Sequence, residues 1–418
     1  MNLGQFFNFP PNLSPQLKSN FIYLFRDIGW WGLYMGATAS FLTIYASRCG
    51  ATPQQIGLLT ALPALLSLVI SLPVGRWLKR FPAQRATIWS AFASRMLFVV
   101  YAVLPWVLPI SHQIDAILAL SIVIVIPATV INISFTQFFM ESVPSEWRMA
   151  VVGTRNAIGS IISFVVILLC GQILTHLAFP INYQVVFFIG FIGGIMTVYQ
   201  INHVRPVMSH LVTHTPNTTT QPLRPLSAKK QKFFPDFDGQ GRNYFRVIGL
   251  LFLFNLTTNM AAPLIPDLLV HKLKLSDGLI SIGASTSTLV VLIVSLFIAR
   301  ITRRTGNRTA TAFGAGLLAF QAVALALAQN AFLYLVAAVI GGIALGVLNA
   351  AQYNYHLDNV PNSEPSSWLS MNLVLGNTAV LVGALVGPLI AQGIGTPAAF
   401  ILFGGLRLVV SLLIFKRG

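Results

Sequence analysis

The chain has 418 residues, of which 55% are hydrophobic and 9% charged, and its mean hydropathy is +0.75. Soluble domains carry about 25% charged residues, so this composition excludes a globular protein with a water-covered surface. The formal charge of +16 does not make a nucleic-acid binder either, because the basic residues sit in short stretches between apolar runs and form no single patch.

Apolar windows of about 20 residues, the length at which a helix crosses roughly 30 Å of hydrocarbon, recur along the chain. Read against turn signals, they predict twelve membrane spans near 21–46, 54–75, 85–108, 114–140, 147–175, 182–201, 244–270, 278–299, 309–329, 332–357, 368–392 and 398–415. The expected order is an N-terminal segment (1–20), a six-span half (21–202), a linker (203–242) and a second six-span half (243–418). The linker contains HTPNTTTQPLRPLSAKKQK, and its Pro, Thr and Lys content reads as flexible. The predicted fold is all-α and membrane-integral.

In the first span, Asp27, Trp31, Tyr34, Thr38 and Tyr45 fall on one face at helical spacing. Asp27 is the only acid expected near a central pathway, which makes it the candidate carrier of a coupling proton, with Arg26 and Arg155 as possible counter-charges. After the second span comes LPVGRWLKRFPAQR, with Gly75, Arg76, Lys79 and Arg80. Arg95 lies deep in the third span, where an isolated arginine is costly and must find a partner, water or the interface. The fourth span carries Asn132 and Thr136 and ends at Glu141, followed by Arg148 in ESVPSEWRMAVVGTRNAIG.

Beyond the linker, Asn255, Thr258 and Asn259 form a short stripe in the seventh span. LFIARITRRTGNR then repeats the earlier basic loop at a spacing of 224, with Arg300, Arg303 and Arg304 standing where Arg76, Lys79 and Arg80 stand in the first copy. In the tenth span Asn349, Gln352, Tyr353 and His356 share one face, and Asp358 closes the span as Glu141 closes the fourth, 217 residues earlier. Arg407 lies deep in the twelfth span as Arg95 does in the third. Two six-helix halves related by an axis along the membrane normal are a transporter architecture with its site between the halves.

With an even number of spans, both termini and the linker share one side. That side holds 21 Lys and Arg residues against three on the other, which predicts that both termini and the linker are cytoplasmic. The cell membrane is the expected location and the lipid bilayer the expected surroundings. Cys49 and Cys170 have no metal-ligand spacing. No nucleotide-binding loop, H-E-x-x-H, G-x-S-x-G or paired carboxylates appear, so neither metal, cofactor nor catalytic residue is predicted.

GRWLKRFPAQR and ARITRRTGNR resemble the loop motif G-x-L-x-D-R-x-G-x-R of the major facilitator superfamily, and ESVPSEWRMAVVGTRNAIG resembles that family's stretch entering the fifth helix. Lys79 and Arg303 occupy positions where the family usually has Asp, and Pro82 replaces a Gly. The fifth-helix G-x-x-x-G-P of the family's drug antiporters is missing, although Gly383 and Gly387-Pro388 give a similar pattern in the eleventh span.

The resemblance implies a transporter whose first, fourth, seventh and tenth helices line a cavity, the same spans that carry the polar stripes. Their amides, hydroxyls and aromatics fit a neutral polar or amphipathic small solute. With the loop acids absent, Glu141 or Glu146 is the expected partner of Lys79 and Arg80, and Asp358 or Glu364 that of Arg303 and Arg304, in closing the cytoplasmic side. The other class considered is a non-transporting sensor or assembly factor on the same fold.

Overall fold

A computed structural model describes residues 13–78, 80–207, 239–361 and 365–417. No strand occurs among them. The helices are α1 (Pro15–Ala37), α2 (Leu42–Arg48), α3 (Pro53–Leu78), α4 (Ala83–Val107), α5 (Ile110–Ser142), α6 (Ser145–His176), α7 (Ile181–His203), α8 (Gly239–Ala261), α9 (Leu264–Asp267), α10 (Asp277–Thr305), α11 (Asn307–Ala326), α12 (Ala331–Asp358), α13 (Pro365–Ile394) and α14 (Thr396–Arg417).

Local signals set the ends. Ser14 accepts a hydrogen bond from the Leu17 amide ahead of Pro15, Ser276 caps α10 through Leu279 with Asp277 in the first turn, and Asn330 caps α12 through Leu333. Gly306, at φ 78°, turns the chain between α10 and α11 in a conformation that favours glycine.

The first and seventh spans are each broken, which the hydropathy reading did not anticipate. The first consists of α1 and α2 with a turn over 38–41, where the Thr38 hydroxyl donates to the Tyr34 carbonyl. The seventh consists of α8 and α9, separated at Pro263, and continues as a wide π turn over Leu268–Lys272. Ala37 and Ala261, the last residues before the breaks, stand 224 apart, the spacing of the basic loops. Eleven spans are long and apolar enough to cross a membrane by composition alone, among the described residues. The first span is not among them, since its longer helix carries Lys18, Arg26 and Asp27 and is interrupted after Ala37.

Within one half, α1 packs on α6 and α7, α4 on α5 and α7, and α3 on α5; in the other, α8 packs on α13 and α14, α11 on α12 and α14, and α10 on α12. The halves meet where α3 contacts α13 and where α6 contacts α10. Away from the linker, one apolar cluster runs through both halves, from Phe41, Tyr45 and Leu174 to Leu264, Leu269 and Ile280. On the linker side the clusters are separate, with Phe21, Leu24, Phe138 and Val151 in one half and Val247, Leu251, Leu348 and Ile414 in the other. Among the described residues, apolar burial thus joins the halves at the end away from the linker only. Exposed Trp89, Trp106, Phe313 and Phe332 would be a liability in water and are at home against lipid.

Candidate functional site

Between the halves lies a cavity of about 1160 Å³, walled by α1, α6, α10 and α12. Trp31, Arg155, Asn156, Ser160, Ser163, Thr288, Ser295 and Asn349 supply its polar lining, and Gly153, Ile298 and Ala350 are among its residues nearest the linker. On that side Gly75 and Gly153 have no atom within 4 Å of where a Cβ would stand.

The opposite end is shut. Arg48 at the end of α2 donates from Nε (3.1 Å) and Nη2 (2.9 Å) to Asp277 Oδ1 at the start of α10, and from Nη2 to the Leu275 carbonyl at 2.6 Å. The backbones close in behind this ion pair. A Cβ on Gly57 of α3 would stand 2.2 Å from the Ala384 carbonyl oxygen of α13, and one on Gly171 of α6 would collide with Ser281 of α10.

The wall of the cavity contributed by the first half is cationic. Arg155 of α6 donates from Nη2 to Asp27 Oδ2 and from Nη1 to the Leu24 carbonyl, at 2.9 and 2.8 Å. The Phe135 and Phe139 rings of α5 flank its guanidinium. Arg155 lines the cavity while Asp27, 3% exposed, stands behind it. Arg95 of α4 is also 3% exposed and lies over the rings of Trp31 (4.8 Å) and Tyr34 (4.4 Å). A Cβ on Gly194 would strike its Cδ at 2.7 Å, so glycine there makes room for the arginine stem.

In the other half, a polar recess of about 280 Å³ between α8, α12 and α13 gathers Asn255, Asn349, Gln352, Tyr353, His356 and Asn372. Asn349 borders both spaces. His356 Nε2 lies 2.5 Å from the Tyr244 hydroxyl, which fixes the ring. Deeper in the same half, Arg407 of α14 donates to the Leu318 carbonyl of α11 and the Thr257 carbonyl of α8, at 2.7 and 2.9 Å. Leu318 stands 223 residues after Arg95, the spacing that relates Arg85 to Arg308, and Thr258 stands 224 after Tyr34. Arg95 thus lies among α1, α4 and α7 and Arg407 among the matching α8, α11 and α14, each delivered from a non-matching helix of its triad.

The predicted stripes divide. Trp31 reaches the cavity, and Asn255, Asn349, Gln352, Tyr353 and His356 come together in the recess. Tyr34 and Thr38 are buried against α4 and α7, and Thr258 and Asn259 donate to carbonyls of their own helix, with Asn259 against Gly383 of α13. Asn132 and Thr136 line neither space, and the Thr136 hydroxyl donates to the Asn132 carbonyl. Of the counter-charges expected for Asp27 it is Arg155 that pairs with it, but sequence reasoning did not place Arg155 on the cavity wall, and it missed Asn156, Ser160 and Ser163 on α6 and Thr288 and Ser295 on α10.

At the linker-side ends, Glu141 accepts from Gln137, Asp358 accepts from Asn307, and Arg148 donates to the carbonyls of Met140 and Val143. Arg303 donates to Ala299 of its own helix. Among the described residues, Arg76, Arg80, Arg300, Arg303 and Arg304 make no ion pair. Lys79 and Glu364, also expected at this gate, lie outside the described residues, as does most of the expected linker (208–238).

A helical membrane protein with paired six-span halves around a cavity closed at one end has the build of a carrier that exposes its site to one side at a time. The chain belongs to the Major Facilitator Superfamily, whose family model matches residues 20–238 and 247–417, and it is a solute transporter. A bacterial homologue of the iron transporter ferroportin, in an inward-facing state, shares the fold with a TM-score of 0.71 at 13% identity, covering 97% of this chain and 99% of that one. The nucleoside transporter NupG does so at TM-score 0.65 and 12% identity, covering 97% and 100%. An inward-facing, unoccupied bacterial homologue of the human lysosomal transporter Spinster gives 0.63 and 12%, covering 97% and 96%. At such identities these likenesses show the fold alone. No curated protein matches the chain in sequence.

Proposed function

We propose that the central cavity is the solute site and that transport proceeds by rocking of two bodies, 21–202 and 243–418, joined by the 203–242 linker. The observation that carries this reading is the asymmetry of closure: an ion pair and close backbone contacts at one end, a polar cavity toward the other. Taking the linker side as cytoplasmic, as the basic excess favours, the protein is in an inward-open state, in the cell membrane, with both termini inside. A cysteine at Ser227, in the linker outside the described residues, should react with an impermeant thiol reagent only in opened cells; reaction in intact cells overturns the orientation.

In this reading the basic runs around Gly75, Arg76, Lys79, Arg80, Arg300, Arg303 and Arg304 meet Glu141 and Asp358 only when the cytoplasmic side closes. Their freedom from ion pairs among the described residues fits the open side. Asp27 is the proposed proton carrier, because it is buried, pairs with the Arg155 guanidinium and adjoins the cavity through it.

Proteoliposomes screened with radiolabelled metabolites should show uptake that is lost when a cysteine at Ser160 is capped by a bulky thiol reagent. For the solute so found, Asp27→Asn should remove pH-driven accumulation and spare counterflow exchange, which needs no net proton movement. Full uptake after capping would dismiss the cavity as the site; loss of both modes in Asp27→Asn would reduce Asp27 to a structural role.

A further inference from the structure

Resting on the reading of the cavity as the solute site, we infer that the solute is a small organic monoanion whose carboxylate docks on Arg155. The polar stripes legible in the sequence are amides and hydroxyls, which favour no sign of charge. Arg155 changes this. It is the one charged side chain among the described lining of the cavity, and the acid that pairs with it is turned away behind it. Its two bonds to Asp27 and Leu24 leave further N–H donors of the guanidinium fork without a protein acceptor among the described residues. A planar fork with free donors matches a carboxylate, to which it can donate two parallel hydrogen bonds.

The charge count points the same way. Arg155 and Arg95 stand against one carboxylate, Asp27, so this wall keeps one positive charge in excess. Arg95 lies under the Trp31 ring, which itself lines the cavity. Its field thus reaches the cavity across an apolar ring, where water screens it poorly. The facing wall supplies Asn349, Thr288 and Ser295 and no charge. One uncompensated cation suits a monoanion better than a dianion such as a phosphate monoester, and better than a neutral or cationic solute.

Asp27 then plays a second part as the internal competitor for Arg155. Neutralising it should strengthen anion binding, the opposite of what loss of a purely structural ion pair would do. The test uses the full-length protein with a cysteine at Ser160, in detergent, and reads protection of that thiol from alkylation. The probes are two matched triplets, benzoate, benzamide and benzylamine, and butyrate, butyramide and butylamine. Carboxylates should protect and their amides and amines should not; Asp27→Asn should lower the protecting concentration by about tenfold, in the range of a hydrogen bond to a charged group.

Arg155→Gln should abolish the preference, and Arg155→Lys, which keeps the charge but not the fork, should retain part of it. Protection by amides or amines equal to that by carboxylates overturns the inference and leaves the cavity reading standing. Absence of any protection by carboxylates overturns it as well. A carboxylate preference that survives in Arg155→Gln would move the anion site elsewhere and equally overturn this one. Failure of the cavity reading is seen separately, as uptake that persists after the Ser160 cysteine is capped.

Discussion

Gly57→Trp should abolish uptake and leave the end of the protein away from the linker propped open. Gly57 is where α3 of one half meets α13 of the other, and even a methyl group there would stand 2.2 Å from the Ala384 carbonyl oxygen. Backbone cannot yield as a flexible side chain can, so an indole at this point forces the helices apart. A carrier that cannot shut one side completes no cycle, and a loss of at least about tenfold in uptake is expected.

The reporter is a cysteine at Ser281, which is 1% exposed in the shut seam and should become reactive toward an impermeant thiol reagent in the Gly57→Trp background. Gly405→Leu is the control, since nothing lies within 4 Å of a Cβ there, and its uptake should match the wild type. Normal uptake in Gly57→Trp, or a silent Ser281 cysteine, would show that α3 and α13 need not meet this closely.

The second large effect is expected from Arg48→Asp. It replaces an attraction between the halves with two facing carboxylates and removes the donor to the Leu275 carbonyl. Arg48 and Asp277 side chains are 26% and 12% exposed, so the pair is screened less than a surface pair. A bias of about 1–3 kcal/mol, roughly five- to hundredfold in the ratio of states, follows from losing it. The rate of Ser281 cysteine labelling reads that ratio. Exchanging the charges, Arg48→Asp with Asp277→Arg, should recover part of the closure, and a double-mutant cycle with no coupling would show that the pair is ornamental.

Hydropathy made the spans and their order legible because a bilayer imposes one strong requirement on a helix. Its failures are local. The break after Ala37 rests on a turn over 38–41 that itself contains neither Pro nor Gly, and the expected unbroken span 244–270 passed over Pro263 and Pro266, which mark the break in the seventh.

In the candidate site, the recess residues of α12 were legible because four of them share a face. The α6 wall was passed over although Asn156, Ser160 and Ser163 also follow helical spacing, because the expected lining came from the family's cavity helices and α6 is not one of them. Asp27 and Arg155 were each visible as charges in apolar surroundings. That the arginine faces the cavity and the acid does not is a matter of how α1 is rotated against α6, and a single sequence carries no signal for that.

The buried arginines have a consequence for how the chain is made. Each of the three follows its partners in sequence: Arg95 comes after Trp31 and Tyr34, Arg155 after Leu24 and Asp27, and Arg407 after Thr257 and Leu318. A helix leaving the ribosome with an unpartnered arginine at its centre faces an insertion penalty of about 2.5–3.5 kcal/mol. Here the acceptors and rings are already synthesised when each arginine arrives, so every cation can be housed on entry and none has to wait in lipid for a helix still to be translated.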